Sequence, residues 1–74
     1  MIEVKVEHDT VVMEYKVDEG DHVDNGDVVM MLEVMKMQEY IQTPASGVVH
    51  FVADLGNTVA EGDVLFTIEE DTHG

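Results

Sequence analysis

Gly20-Asp21-His22-Val23-Asp24-Asn25-Gly26-Asp27-Val28 returns 36 residues later as Gly56-Asn57-Thr58-Val59-Ala60-Glu61-Gly62-Asp63-Val64. Both stretches read Gly-x-x-Val-x-x-Gly-Asp-Val. The match runs on to Leu32 against Ile68 and Glu33 against Glu69. Upstream, Val11-Val12 matches Val48-Val49 with a one-residue slip, assigned here to the neighbourhood of Asp54-Leu55. The chain is therefore two copies of one unit of about 36 residues. Neither copy is long enough to stand alone.

Each copy reads the same way. An alternating strand comes first, through Val11, Met13, Tyr15 and Val17, or through Val49, Phe51 and Ala53. A glycine turn follows, then a short step at Val23 or Val59, a second glycine turn, and an apolar strand, 28–34 or 64–68. Ile2 to Glu7 adds an alternating opening strand. Residues 37–41 add another, which Thr43-Pro44-Ala45-Ser46-Gly47 breaks. No segment sustains helical spacing. The expectation is one all-β domain over residues 1–74, with about eight short strands in two sheets. The sheets close into a flattened β-barrel or sandwich with an internal pseudo-twofold repeat.

The 74 residues include no cysteine, which removes disulfides, thiolate metal sites and a thiol nucleophile. That composition fits a cytoplasmic protein. No apolar run approaches the length of a membrane span, and the opening residues lack a signal-peptide pattern. The formal charge is −14, from 17 acids against 3 bases spread over both halves. Nucleic acid and anionic membranes are excluded as natural partners. Self-repulsion of this size predicts a fold that gains stability with added salt.

Lysine is scarce. Lys5 and Lys16 fall inside strand-like runs, whereas Lys36 falls in Glu33-Val34-Met35-Lys36-Met37, where one apolar run ends and the next begins. A lone ammonium between two flexible apolar side chains is a poor core element. It is a good handle, because a primary amine at a turn tip can be acylated by an enzyme that grips its neighbours. Shifted by the repeat, Lys36 falls on Thr72, just past the last strand. A pseudo-twofold axis would then put the Lys36 turn at one end of the domain and the chain ends at the other.

The stretch Val34-Met35-Lys36-Met37 resembles the attachment motif of the biotinyl/lipoyl domain family, biotinyl branch. Thr43-Pro44-Ala45-Ser46-Gly47 resembles the family's Ala-Pro-x-x-Gly turn, and the paired glycine turns match in both halves. Lipoyl domains usually carry Asp before the lysine and Ala or Val after it. Met at both places favours biotin. Two features depart from many members. His8-Asp9-Thr10 stands where Met-Pro-Gly is common, implying a more acidic, looser segment, and the run from Val12 to Gly20 leaves no room for a thumb insertion. The resemblance implies a barrel-sandwich hybrid fold. It implies a non-catalytic biotin carboxyl carrier with biotin in amide linkage to Lys36, attached by a biotin protein ligase. The carrier would take carboxybiotin from biotin carboxylase to carboxyltransferase in a biotin-dependent, acyl-CoA-type carboxylase. Met35 and Met37 would be recognition residues and soft contacts for the arm, with Val34 and Glu33 completing the motif.

Other readings are weaker. A lipoyl carrier of an oxo-acid dehydrogenase or glycine cleavage system, and an unmodified docking module, remain as alternatives. Six methionines invite copper, but adjacent Met30 and Met31 would face opposite sides, one of them filling core. The loop Asp21 to Gly26 lacks calcium ligands at Val23 and Leu32. His8, His22, His50 and His73 are scattered without metal spacing. No nucleophile motif surrounds Ser46, so no catalytic residue and no metal site is assigned.

Overall fold

The computed structural model describes residues 1–71, so Thr72 and His73 lie outside the described residues. These hold eight strands: β1 (Ile2–Lys5), β2 (Thr10–Tyr15), β3 (His22–Val23), β4 (Val28–Val34), β5 (Met37–Gln42), β6 (Gly47–Phe51), β7 (Thr58–Val59) and β8 (Val64–Glu70). They form two antiparallel four-stranded sheets, β1-β8-β6-β3 and β5-β4-β2-β7. The sheets are called A and B below. The expected all-β, two-sheet fold is what the chain adopts.

The repeat persists down to single hydrogen bonds. β4 and β8 share one burial pattern over six positions, with Val29, Met30 and Leu32 in the core matching Leu65, Phe66 and Ile68. Both strands carry a register shift where they meet the strand of the other half, at Val29 opposite β5 and at Leu65 opposite β1. The turns agree as well. Asp27 donates its N–H to the Asp24 carbonyl, and its carboxylate accepts from the Asp24 N–H. Asp63 does the same with Ala60. The Gly-Asp pair of each turn is thus explained: the carboxylate satisfies an amide the tight turn leaves unpaired.

One expectation is corrected. The slip between the copies lies in β2, not near Asp54-Leu55. Val12 pairs with Leu32 and Glu14 with Met31, leaving Met13 as an extra, bulged residue. In the other copy, Val49, His50 and Phe51 run without a break against Ile68, Thr67 and Phe66. The bulge also undoes the simple alternation read from Val11, Met13 and Tyr15. Val12 enters the core, while Met13 is 47% exposed. A classic bulge sets two consecutive side chains against one partner, which a pattern of period two cannot register.

The core lies between the sheets and is built on Phe66, Met30, Leu32, Leu65, Ile68, Val12, Val29 and Val49, all fully buried. Met30 fills core while Met31 faces outward, as expected of adjacent strand residues. The mates Tyr15 and Phe51 stack across the sheets, ring centroids 3.8 Å apart and 6° from parallel. Tyr15 donates its hydroxyl proton to the Ala53 carbonyl. Partial burial and the nearby Asp54 charge raise the Tyr15 pKa. Among the described residues no buried polar side-chain atom lacks a partner.

Candidate functional site

β4 and β5 are joined by Met35 and Lys36 alone, with Val34 paired to Met37 as the last rung. Met35 has φ 50° and Lys36 φ 67°, the only non-glycine residues at positive φ among those described. Two positive φ values in a two-residue hairpin are the signature of a type I′ turn, whose twist matches that of the strands. Asn-Gly is the comfortable sequence for such a turn. A side-chain-bearing residue there costs about 1–2 kcal/mol. Strain held at an exposed tip points to a use for the side chains themselves. Met35→Asn is therefore expected to raise stability by about 0.5–1 kcal/mol, read as a higher Tm.

Met35 is 91% exposed and Met37 72%. Lys36 is exposed between them and has no carboxylate within ion-pair distance among the described residues. The other two lysines are engaged: Lys5 lies 4.0 Å from Glu3, and Lys16 lies 2.6 Å from Glu14 with its ammonium 5.8 Å from the Tyr40 ring. Glu33 sits on the outer face of β4, and its carbonyl accepts the buried Thr10 hydroxyl at 2.6 Å. Val34 is half-buried at the foot of the turn. All five residues singled out in the sequence thus come together at one tip.

The connection from β1 to β2 places this tip in the molecule. Thr10 begins β2 beside the end of β4. Val6 exchanges backbone hydrogen bonds with Asp63 and Gly62 at the start of β8. The Lys36 turn therefore shares an end with residues 6–9 and 60–63. The first rung of β1, Ile2 opposite Ile68, and the end of β8 lie at the other, where Asp71 bonds Ser46. The expected separation of the Lys36 turn holds for the N-terminal strand and for Asp71, the last described residue, along a body of 43 × 20 × 17 Å.

Three residues beside the tip escaped the sequence reading. A shallow recess of about 320 Å³ is lined by Val34, Met35 and Met37 together with His8, Gln38 and Glu39. The His8 ring bonds the Glu39 carboxylate at 3.1 Å and so ties the β1–β2 segment to β5. The expectation of a looser segment is not met. Asp9 accepts the Glu61 N–H, and Thr10 is buried. Only the departure at His8-Asp9-Thr10 marked this segment in the sequence, and its partners lie 23 to 52 residues away.

The two remaining histidines among the described residues decorate the outer face of sheet A. His22 bonds Asp71 at 2.9 Å, and His50 sits between Glu19 at 2.7 Å and Glu69 at 3.5 Å. Hydrogen bonds to these carboxylates raise both imidazole pKa values above 6.5. The Phe51 amide and His50 lower that of Glu19 below 4.5. The histidine contribution is complete below pH 6.5 and is lost as pH rises through the raised values. The Glu19 contribution is complete above 4.5 and is lost as pH falls through its lowered value. Both are present together from about pH 4.5 to 6.5. Tm should accordingly be higher at pH 5.5 than at 8.5, and the slope should flatten in a His22→Gln, His50→Gln variant, as followed by circular dichroism.

Comparison with known proteins agrees with this geometry. A biotin/lipoyl family model described as "Biotin-requiring enzyme" matches residues 1–68. The chain is 34% identical over 67 residues to the Biotinylated protein TB7.3 homolog of Mycobacterium leprae, covering 89% of this chain and 94% of that one. It is 40% identical over 62 residues to pyruvate carboxylase of Staphylococcus aureus, covering 82% of this chain but 5% of the enzyme. It spans 8% of the soybean methylcrotonoyl-CoA carboxylase alpha subunit. A solved single-chain, multi-domain long-chain acyl-CoA carboxylase superposes with a TM-score of 0.76 at 29% identity, covering 88% of this chain and 7% of that one. Fold, repeat, turn and relatives together make this chain a member of the biotinyl/lipoyl attachment domain family, in its biotin carboxyl carrier branch.

Proposed function

We propose that Lys36 is the attachment point for biotin and that the domain is the non-catalytic carrier of a biotin-dependent, acyl-CoA-type carboxylase in the cytoplasm. The observation that carries this reading is an accessible amine, without a carboxylate partner among the described residues, on a strained two-residue tip at the opposite end of the domain from Ile2 and Asp71. The residues fit the cofactor. The amine is open to an acyl donor, and Met35 and Met37 offer apolar, adaptable surface on either side. In the attachment step the neutral Lys36 Nζ attacks the acyl carbon of biotinyl-adenylate held by biotin protein ligase. The N–C bond forms, the C–O bond to AMP breaks, and the nitrogen's proton leaves to solvent or base. The chain thereby loses one positive charge.

Bound biotin supplies a ureido nitrogen that accepts and releases a carboxyl group. The protein supplies position. Its tip visits biotin carboxylase and then carboxyltransferase, and tethering keeps the reacting group at high effective concentration near both. Several relatives are carboxylases, which supports such partners.

Intact mass after co-expression with a biotin ligase tests the reading. One added biotin mapped to Lys36 is expected. Lipoylation in its place, by a lipoate ligase, would move the protein to the lipoyl carriers. No addition with either enzyme would leave a docking module. Met35→Asn, which relaxes the turn, is expected to slow loading while stabilising the fold. This separates recognition of the methionine from turn geometry.

A further inference from the structure

The internal repeat supplies a control for the surface. Each outward position on sheet B has a mate on sheet A. On sheet B the row Tyr40, Met31, Glu14 crosses β5, β4 and β2. On sheet A its mate is Glu3, Thr67, His50 across β1, β8 and β6. The turn after β2 carries Glu19 against His50. The corresponding turn, bonded to β2 through Gly56 and Asn57, carries Leu55. The unmatched residue of the β2 bulge is Met13. Sheet A thus presents Glu3, Thr67 and Glu19 where sheet B presents Tyr40, Met31 and Leu55, while Glu14 stands where sheet A has His50 and Met13 has no mate.

The fold itself does not ask for this difference, since the same backbone carries polar residues at the mated positions. Tyr40 is 52%, Leu55 53% and Met13 47% exposed. Scattered exposed apolar residues need no explanation. A group of them on one sheet face, bordered by charge, marks an interaction surface. The charge on this face is acidic: Glu14 within the row and Glu33 beside it opposite Val11, with Lys16 already paired to Glu14. A second copy of this chain would bring like-charged faces and two net charges of −14 together. The face is also continuous with the functional tip, because Met31 and Tyr40 lie on the two strands that Lys36 joins.

We propose that the outer face of sheet B is the docking surface for the enzyme that carboxylates the group carried on Lys36. The docking patch of that enzyme is apolar at its centre and ringed by lysine and arginine. This rests on the carrier reading above. A partner seated here holds the Lys36 tip at the edge of the contact and leaves it free to enter an active site. The acidic charge steers the encounter, so association weakens with salt.

The test exchanges the three apolar residues for their mates, as Met31→Thr, Tyr40→Glu, Leu55→Glu. Wild type and variant are loaded with biotin, checked by intact mass, and assayed as substrates of purified biotin carboxylase. The KM for the carrier should rise at least ~10-fold with kcat little changed. Wild-type KM should rise with added NaCl, and Thr67→Met on sheet A should change neither value. In parallel, ¹⁵N-labelled unmodified protein is titrated with the same enzyme. Amide perturbations are expected on β2, β4, β5 and the turn at Leu55. Perturbations on sheet A, or an unchanged KM in the loaded variant, would overturn the docking assignment alone. A wild-type chain that takes no biotin would overturn the carrier reading and the docking assignment with it. Should the triple variant fail to fold by circular dichroism, Leu55→Glu, on an exposed turn, is expected to raise KM ~3-fold by itself.

Discussion

Lys36→Arg is expected to abolish biotin incorporation completely while leaving Tm unchanged. Arginine keeps the positive charge and a long side chain, so the exposed tip loses no packing. It does lose the nucleophile. A guanidinium stays protonated at any pH a folded protein survives, whereas a lysine amine can be freed of its proton to attack an acyl donor. Surface changes of this kind move stability by less than about 0.5 kcal/mol. Lys5→Arg and Lys16→Arg serve as controls and should load fully, since both lysines are engaged by neighbouring glutamates. Intact mass reads the result directly. Biotin found on Lys5 or Lys16 in the Lys36→Arg protein would remove the assignment of the site.

Gly47→Ala should be the most damaging small substitution in the domain. Gly47 opens β6 and pairs with Glu70 of β8. A Cβ at this position would lie 2.1 Å from the Glu69 carbonyl oxygen and 2.9 Å from the Glu70 Cα, all of it backbone. No rotamer change can relieve that contact. β6 and β8 must separate at their first rung, beside the bond from the Asp71 N–H to the Ser46 carbonyl. Overpacking of this sort costs about 3 kcal/mol, a fall of more than about 10 °C in Tm for a domain this small. Gly56 provides the comparison. It has φ +81° and open space around its Cβ position, so Gly56→Ala should cost only about 1–2 kcal/mol. Thermal melts of the two variants should differ clearly. Equal losses would refute the close approach at Gly47.

The architecture was legible because its punctuation is chemical. Glycine followed by aspartate marks a tight turn whose mechanism holds for any chain, and the repeat told where each turn recurs. Lys36 was legible for a related reason: an amine at the junction of two apolar strands has no structural use there. Three features were not legible. The bulge at Met13 imitates strand alternation in the sequence and is revealed only by the strand it faces. His8 reaches the tip through a contact with Glu39, and no local pattern encodes that distance. The apolar character of one outer face emerges only when each residue is set beside its mate in the other copy, which requires knowing where the register slips.

β8 lies between β1 and β6, so the last described strand pairs with the first. Sheet A cannot assemble until synthesis has passed Glu70, 34 residues beyond Lys36. Pairings so distant in sequence form late and close the fold as a unit. The left-handed turn at Met35 and Lys36 is costly for a free chain and is held only by the finished hairpin in its sheet. A ligase that reads the presented tip would therefore pass over chains in which sheet B has not formed. Acylation of this lysine would then act as a checkpoint on the hairpin and its sheet before cofactor is committed to them.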